Sequence, residues 1–328
     1  MIAPSFSHRR AMTLVELLVV LAILGLLGVA VSPLIQSRDD KQTFRAAADA
    51  LSLHFADAAS RAIGEISENG VWFEPLPNSV GAVDLAFARS VVSGTGTVQI
   101  DTSSVNTSAP PPTVGLSAPI TPNPIPGAVI RFLGSSSIFQ IVNANTIRMM
   151  PNRNLENDAF PVGNVPQFYQ VSEPPKRKNS YRARRLAGNA CVDLRYSSIG
   201  VDLDGAAAGI QAVGAGEDLS QYSKTAILFD PLGRPSTAWL CKLSNGEWKR
   251  IPLGSGDVVV LLVGSITQVG VEPVPAPTED NPGANIQNPY SVWLLLDPKT
   301  GSTSVIENKP SDTVFDAQTY VRQKLGGA

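Results

Sequence analysis

The sequence is short of the residues that most often carry chemistry. Its 328 residues include two cysteines, Cys191 and Cys241, and two histidines, His8 and His54. Two cysteines cannot build a disulfide-dense scaffold or a cysteine-rich zinc site. No Gly-x-Ser-x-Gly elbow, P-loop or zinc-spaced histidine pair occurs, so an enzyme is not the expected reading. Charge is scarce as well. Charged residues make up 16% and the net charge is −2, which leaves no basic excess to grip a phosphate backbone and excludes nucleic acid as an expected partner. What stands instead is 43% hydrophobic residues, 26 prolines and 27 glycines. The apolar content supplies a core, and the proline and glycine favour many turns and short strands over a helical bundle. The length accommodates about two domains, or one long all-β unit.

Residues Arg9–Gly28 read RRAMTLVELLVVLAILGLLG. From Leu14 to Val31 the only charged residue is Glu16, a run that as a helix crosses most of a ~30 Å hydrocarbon core. It continues to Ile35, interrupted by Ser32 and Pro33. His8, Arg9 and Arg10 precede it, and the positive-inside rule then keeps the N-terminal tail in the cytoplasm and everything after Ile35 outside it. A cleaved secretory signal has an apolar region of about 7–15 residues, and here Ala30-Val31-Ser32 runs straight into Pro33. An uncleaved signal anchor fits better. Neither accounts for Glu16, because an acidic residue deep in lipid costs roughly 2.5–3.5 kcal/mol and is normally partnered.

Ala11-Met12-Thr13-Leu14-Val15-Glu16 resembles the type IV prepilin processing site, in which a small residue precedes the cut and glutamate is the fifth residue after it. Alanine stands here where glycine is usual. The resemblance implies cleavage between Ala11 and Met12 by prepilin peptidase, then methylation of the new Met12 amine. An amine about 4 Å from the Glu16 carboxylate would attract it by roughly 4 kcal/mol at an effective dielectric near 20, the same order as the cost of burial. In this family the amine is thought to belong to a neighbouring subunit, which makes Glu16 a register device for assembly. Pro33 lies where many type IV pilins carry a helix-kinking proline, and it equally marks a membrane exit.

Beyond Lys41, apolar residues recur at Phe44, Ala48, Leu51, Phe55, Ala58 and Ala62, in steps of three and four that define one helix face. The pattern fades by Ile66, and Asn69-Gly70 reads as a helix stop. His54 is expected on the helix surface. GVWFEPLP (Gly70–Pro77) reads as a strand entering a turn. The proline-rich Ala109–Gly127 is an extended loop, and Ala128–Met150 a three-stranded meander. Residues 79–179 are expected to form a large, mostly β insertion. KRKNSYRARR (Lys176–Arg185) packs six cations into ten residues and reads as a solvated loop. Strands follow at Ala226–Asp230, Thr237–Leu243, Glu247–Leu253, Asp257–Gly264, Ser291–Asp297 and Thr303–Glu307. LFDPLGRPS and LLDPKTGSTS both place an apolar run before Asp-Pro and glycine, a turn chemistry that joins antiparallel strands. Asp312–Leu325 fits a short terminal helix.

LSLHFADAASRAI, NGVWFEP, ILFDPLGRPS and LLLDPKTGSTSV together resemble the H-type minor pseudopilins of type II secretion and their fimbrial relatives. The resemblance implies an α+β fold: a long N-terminal helix, transmembrane then amphipathic, packed on an antiparallel β-sheet domain in pilin-like fashion. The expected organisation is a cleaved basic leader (1–11), a transmembrane helix (12–35), an amphipathic helix (36–68) and a periplasmic β-rich domain (69–328). The expected function is that of a structural subunit, held in the inner membrane with its C-terminal domain in the periplasm, and assembled into a secretion or pilus-like fibre. Its partners would be other pseudopilins or pilins, prepilin peptidase and an inner-membrane assembly platform. The alternatives are an anchored periplasmic binding module that does not assemble, and an anchored enzyme acting through Asp202 and Asp204.

No cofactor is expected. Major pseudopilins bind calcium, and Asp202-Leu203-Asp204-Gly205 has a hint of calcium-loop spacing. The twelfth position is Val213 rather than glutamate, however, so Asp202 and Asp204 read better as turn residues than as metal ligands. Cys191 and Cys241 would face an oxidising compartment, where a disulfide closing their loop and two free buried thiols stand as equal readings.

Overall fold

The computed structural model describes residues 14–65, 68–76, 79, 81–106, 112–121, 123–125, 127–133, 138–149, 165–202, 217–218, 222–242, 244, 246–254, 257–275, 277 and 283–326. The chain divides into two compact units, Met1–Gln42 and Thr43–Ala328. Helix α1 spans Leu14–Glu65 and helix α2 spans Val314–Gly326.

Among the described residues, the strands form three antiparallel sheets. Sheet I runs in the order Lys176–Arg177, Asp84–Arg89, Asn69–Glu74, Tyr222–Phe229, Pro235–Lys242 and Trp248–Pro252, with Arg184–Arg185 also pairing to Asp84–Arg89. Sheet II runs Val92–Val98, Gln167–Ser172, Val129–Phe132, Ile138–Asn143, Thr146–Met149, Thr113–Leu116 and Ile100–Asn106. Sheet III runs Glu217–Asp218, Ala190–Asp202, Asp257–Ser265, Val292–Leu296 and Thr303–Glu307, with Gly81–Ala82 on the far edge of Ala190–Asp202.

The expected α+β class, a long N-terminal helix packed on an antiparallel β-sheet domain in pilin-like fashion, is corrected here. The protein is mainly β: among the described residues, strand outweighs helix. Within the larger unit, α1 residues Phe44, Ala47, Ala48, Leu51, Phe55, Ala58 and Ala62 share one core with faces of two sheets, among them Val71, Phe73, Leu85 and Ile227 from sheet I and Val192, Val259, Leu261 and Leu294 from sheet III. The physical cause lies in the strands. All nine residues of Asp257–Ser265 and all five of Val292–Leu296 are buried, so sheet III needs apolar cover on both faces. The first core covers one face. Ala284, Ile286 and the α2 residues Ala317 and Val321 cover the other, over Val258, Val260, Leu262 and Trp293. Alanines on α1 let its backbone come close, while the Phe55 ring fills the space between Phe73 and Phe229, 6.1 Å from each ring centre.

Sheet II is a separate layer with its own interior, built by Ile100, Val114, Ile130, Phe132, Phe139, Ile147 and Tyr169 among others. Its first and last strands, Val92–Val98 and Ile100–Asn106, are consecutive in the chain, so the two ends of the sheet meet at Gln99. A sheet with one apolar face hides that face by curling on itself. The chain leaves sheet I at Ser90 and returns at Glu173, and the two points are stitched together. Glu173 N–H donates to the Val91 carbonyl at 3.0 Å, and Ser90 Oγ donates to the Glu173 carbonyl at 3.3 Å. Of the stretch 79–179, therefore, Gly81–Ala82 pairs within sheet III, Asp84–Arg89 and Lys176–Arg177 pair within sheet I, and the described strands between Val92 and Ser172 make sheet II.

The C-terminal hairpins show why Asp-Pro recurs. Asp230 Oδ1 accepts from the backbone of Leu232 and Arg234 at 2.9 Å, and Asp297 Oδ1 accepts from Lys299 at 2.9 Å. Gly233 and Gly301 then turn the chain with φ of 77° and 70°, a region that side chains disfavour.

Candidate functional site

The residues expected to direct processing and assembly lie at the N-terminus. Ala11 and Met12 fall outside the described residues, while Glu16 and Pro33 lie within α1. In the same segment Val15, Leu17, Leu18, Val19, Val20, Leu21, Ile23, Leu24 and Leu26 are exposed, between 44% and 73% of their surface. Five consecutive residues at about 100° per step go all the way round a helix. The apolar surface of Leu17–Leu21 is thus not a stripe that one neighbour could cover. Such a surface is unfavourable in water by roughly 25 cal/mol per Å², and a helix apolar on every side belongs in lipid or among other helices. Among the described residues, no helix is long and apolar enough to cross a membrane.

At its other end α1 is clamped to the β-structure. The Arg61 guanidinium lies between two aromatic rings, 4.4 Å from the centre of Phe87 and 4.3 Å from that of Tyr181, while its Nε and Nη2 donate to the Asp57 carboxylate at 3.1 and 3.2 Å. Lys178 Nζ donates to both Glu65 oxygens at 2.9 Å, which holds that carboxyl below its ordinary range. Lys176–Arg185, expected as a solvated loop, is instead a strap. Its two short strands pair with Asp84–Arg89, and Lys178 and Tyr181 grip the last turns of the helix. Arg177 pairs with Glu74 and Lys176 with Glu173, both in exposed positions where ion pairs contribute little.

His54 is also corrected. It is 6% exposed rather than on the surface, with its ring 4.2 Å from Phe87. Burial lowers its pKa, and a backbone hydrogen bond with Ala86 opposes that shift only in part. The clamp residues escaped the sequence reading because Arg61, Phe87 and Tyr181 come from three distant segments. The one available signal was the spacing of His54, three residues beyond Leu51 and beside Phe55 on the buried face.

Cys191 and Cys241 are both buried free thiols, on sheets III and I respectively. Of the two readings held equal for this pair, the structure shows the free thiols, each in the packing of its own sheet. Cys241 Sγ donates to the Gly246 carbonyl at 3.5 Å. Asp202 closes its strand and Asp204 lies outside the described residues. Among the described residues, no group of acidic, cysteine or histidine side chains is placed to hold a metal.

Residues 6–32 match the family model described as the prokaryotic N-terminal methylation motif. The match supports a type IV pilin-like protein of the kind processed by prepilin peptidase, and the motif is typical of membrane-anchored pilin-like proteins. Comparison with characterised proteins and with solved structures gives no match.

Proposed function

We propose that the protein is a minor pseudopilin-like subunit, closest in kind to the H-type subunits of type II secretion, assembled into a fibre through its N-terminal helix. Prepilin peptidase cuts between Ala11 and Met12, the new amine is methylated, and residues 12–35 hold the chain in the inner membrane with the β-structure in the periplasm. Glu16 then pairs with the terminal amine of an adjacent subunit and fixes the stagger between helices. A structural rather than catalytic role follows, with other pilins and an inner-membrane platform as partners.

The observation that carries this reading is the methylation motif at residues 6–32, with Glu16 as the lone charge from Leu14 to Val31. The all-round apolar surface of Leu17–Leu21 supports it, since neighbouring helices and lipid are the two environments that would cover it. The bulk of sheet II supports a minor role, because such an outgrowth disturbs regular helical packing.

The experiment is intact-mass and N-terminal peptide analysis of the membrane-extracted protein, from cells with and without the peptidase. Methylated Met12 only when the peptidase is present is the expected result, and a retained Met1 in both would overturn the reading. In parallel, Glu16→Gln should leave membrane extraction unchanged while abolishing crosslinking to other subunits.

A further inference from the structure

Between the face of sheet I that points away from α1 and the outer surface of sheet II lies a cleft of about 420 Å³. Arg250 and Arg89 line it from sheet I and Arg131 from sheet II, together with Glu68, Ser90 and Gln170. The charges of Arg131 and Arg250 act on one another and on Glu68 across it, and among the described residues Glu68 is the one carboxylate in its lining.

That carboxylate is one negative charge against two guanidinium groups. Its closest approach to Arg250 is 3.9 Å, an ion pair beyond hydrogen-bond distance, and burial pushes its pKa upward. The side chain of Arg250 is 11% exposed. Its Nη2 donates to Thr237 Oγ1 at 2.9 Å, and its Nη1 is buried with no partner among the described residues. Register puts Arg250 opposite Trp239, Trp239 opposite Ala226 and Ala226 opposite Trp72, one row across four strands. The indole N–H groups of Trp72 and Trp239 are likewise buried without an acceptor. This face of sheet I therefore gathers buried donors that find no acceptor among the described residues.

Buried donors without acceptors are destabilising, more so when charged, and like charges gathered in a partly dry cleft repel. An anion relieves both costs. Guanidinium forks match the paired oxygens of phosphate and carboxylate groups, and the volume lies in the range of small-ligand sites. We propose that this cleft binds a small oxyanion-bearing ligand, a phosphoryl or carboxylate compound, held by Arg131 and Arg250. The site is independent of the fibre-subunit reading, since no residue of the N-terminal segment takes part.

The test uses the full-length chain purified in detergent. Inorganic phosphate and citrate are titrated separately against chloride at matched ionic strength, followed by tryptophan fluorescence, because Trp72, Trp239 and Trp248 cluster on this face. A saturable change beyond that given by chloride is expected, with phosphate alone indicating a phosphoryl ligand and citrate alone a carboxylate one. Arg131→Gln, at an exposed position, should weaken binding roughly tenfold or more. Arg250→Gln should do the same, and Arg131→Gln carries the test should that variant fail to fold. Absence of saturation with both anions, or equal affinity in wild type and Arg131→Gln, overturns the proposal.

Discussion

The Asp193 carboxylate accepts a 2.8 Å hydrogen bond from Asn285 Nδ2 at a point where neither residue has any exposed surface. Asp193 Oδ1 also accepts from the Arg195 backbone at 3.1 Å, and Asn285 Oδ1 accepts from Ser265 N–H at 2.8 Å, so the pair ties two strands of sheet III to the 283–291 segment. Burial pushes Asp193 up to about 6 against an ordinary 3.8, its hydrogen bonds pulling the other way. The folded chain then binds the proton more tightly than the unfolded one, so stability falls as pH rises from about 4 to about 6 and levels off above. Urea midpoints measured across that range should show this slope in wild type and not in Asp193→Asn. Asp193→Ala should cost about 1–3 kcal/mol at pH 7, because two buried N–H donors lose their acceptor.

His54 contributes the opposite slope. Its folded pKa lies below 6.5 because burial disfavours the cation, with Arg184 and Arg61 adding repulsion and Asp57 opposing. The unfolded chain takes up the proton first, so the stability His54 provides is complete above about pH 6.5 and is lost as pH falls below it. His54→Phe keeps a ring against Phe87 and removes the titration. Between pH 7 and pH 5 wild type should lose stability relative to this variant; parallel curves would show that the imidazole stays accessible to protons in the fold.

Gly70 and Gly64 make a matched pair of tests. A Cβ on Gly70 would lie 1.9 Å from the Ile227 carbonyl oxygen across sheet I, whereas one on Gly64 meets nothing within 4 Å. Gly70→Ala must push two paired strands apart and should cost roughly 3 kcal/mol or more. Gly64→Ala, in the last turn of α1, should be neutral or stabilising by about 0.5–1 kcal/mol. Thermal denaturation of the two variants gives the contrast directly.

Neither thiol should react while the protein is folded. Cys191 has no exposed surface and Cys241 only 6%, and burial drives the Cys191 thiol well above its ordinary pKa, leaving little thiolate to attack. Iodoacetamide at pH 8 should add nothing to the native protein and two groups after denaturation without reductant. A mass unchanged after denaturation would instead indicate a Cys191–Cys241 disulfide.

The sequence showed local periods clearly and long-range pairing hardly at all. The steps from Phe44 to Ala62 are visible because burying one helix face leaves a three-to-four spacing. The C-terminal strands are visible because alternation and Asp-Pro-Gly turns are local. Asn69-Gly70, read as a helix stop, opens a strand, and its glycine is there for the approach of the Ile227 carbonyl, made by a chain segment more than 150 residues away. The division into three sheets rests on such distant pairings, which composition does not encode, so the fold class read as α+β proved mainly β. The strap was missed for the same reason: six cations in ten residues look solvated until Phe87, Arg61 and Glu65 are brought alongside. The arginine cleft draws on segments scattered from residue 68 to residue 250.

The stitch between Val91 and Glu173 closes a long excursion of the chain with a local contact. A curled layer whose two feet stand one hydrogen bond apart leaves the strands of sheet I in place beneath it. What ties it down is the skin it provides for Trp72, Trp239 and Trp248, which would face water without it. The layer and the aromatic face beneath it are thus matched halves of one buried surface, and the arginine cleft is the seam between them.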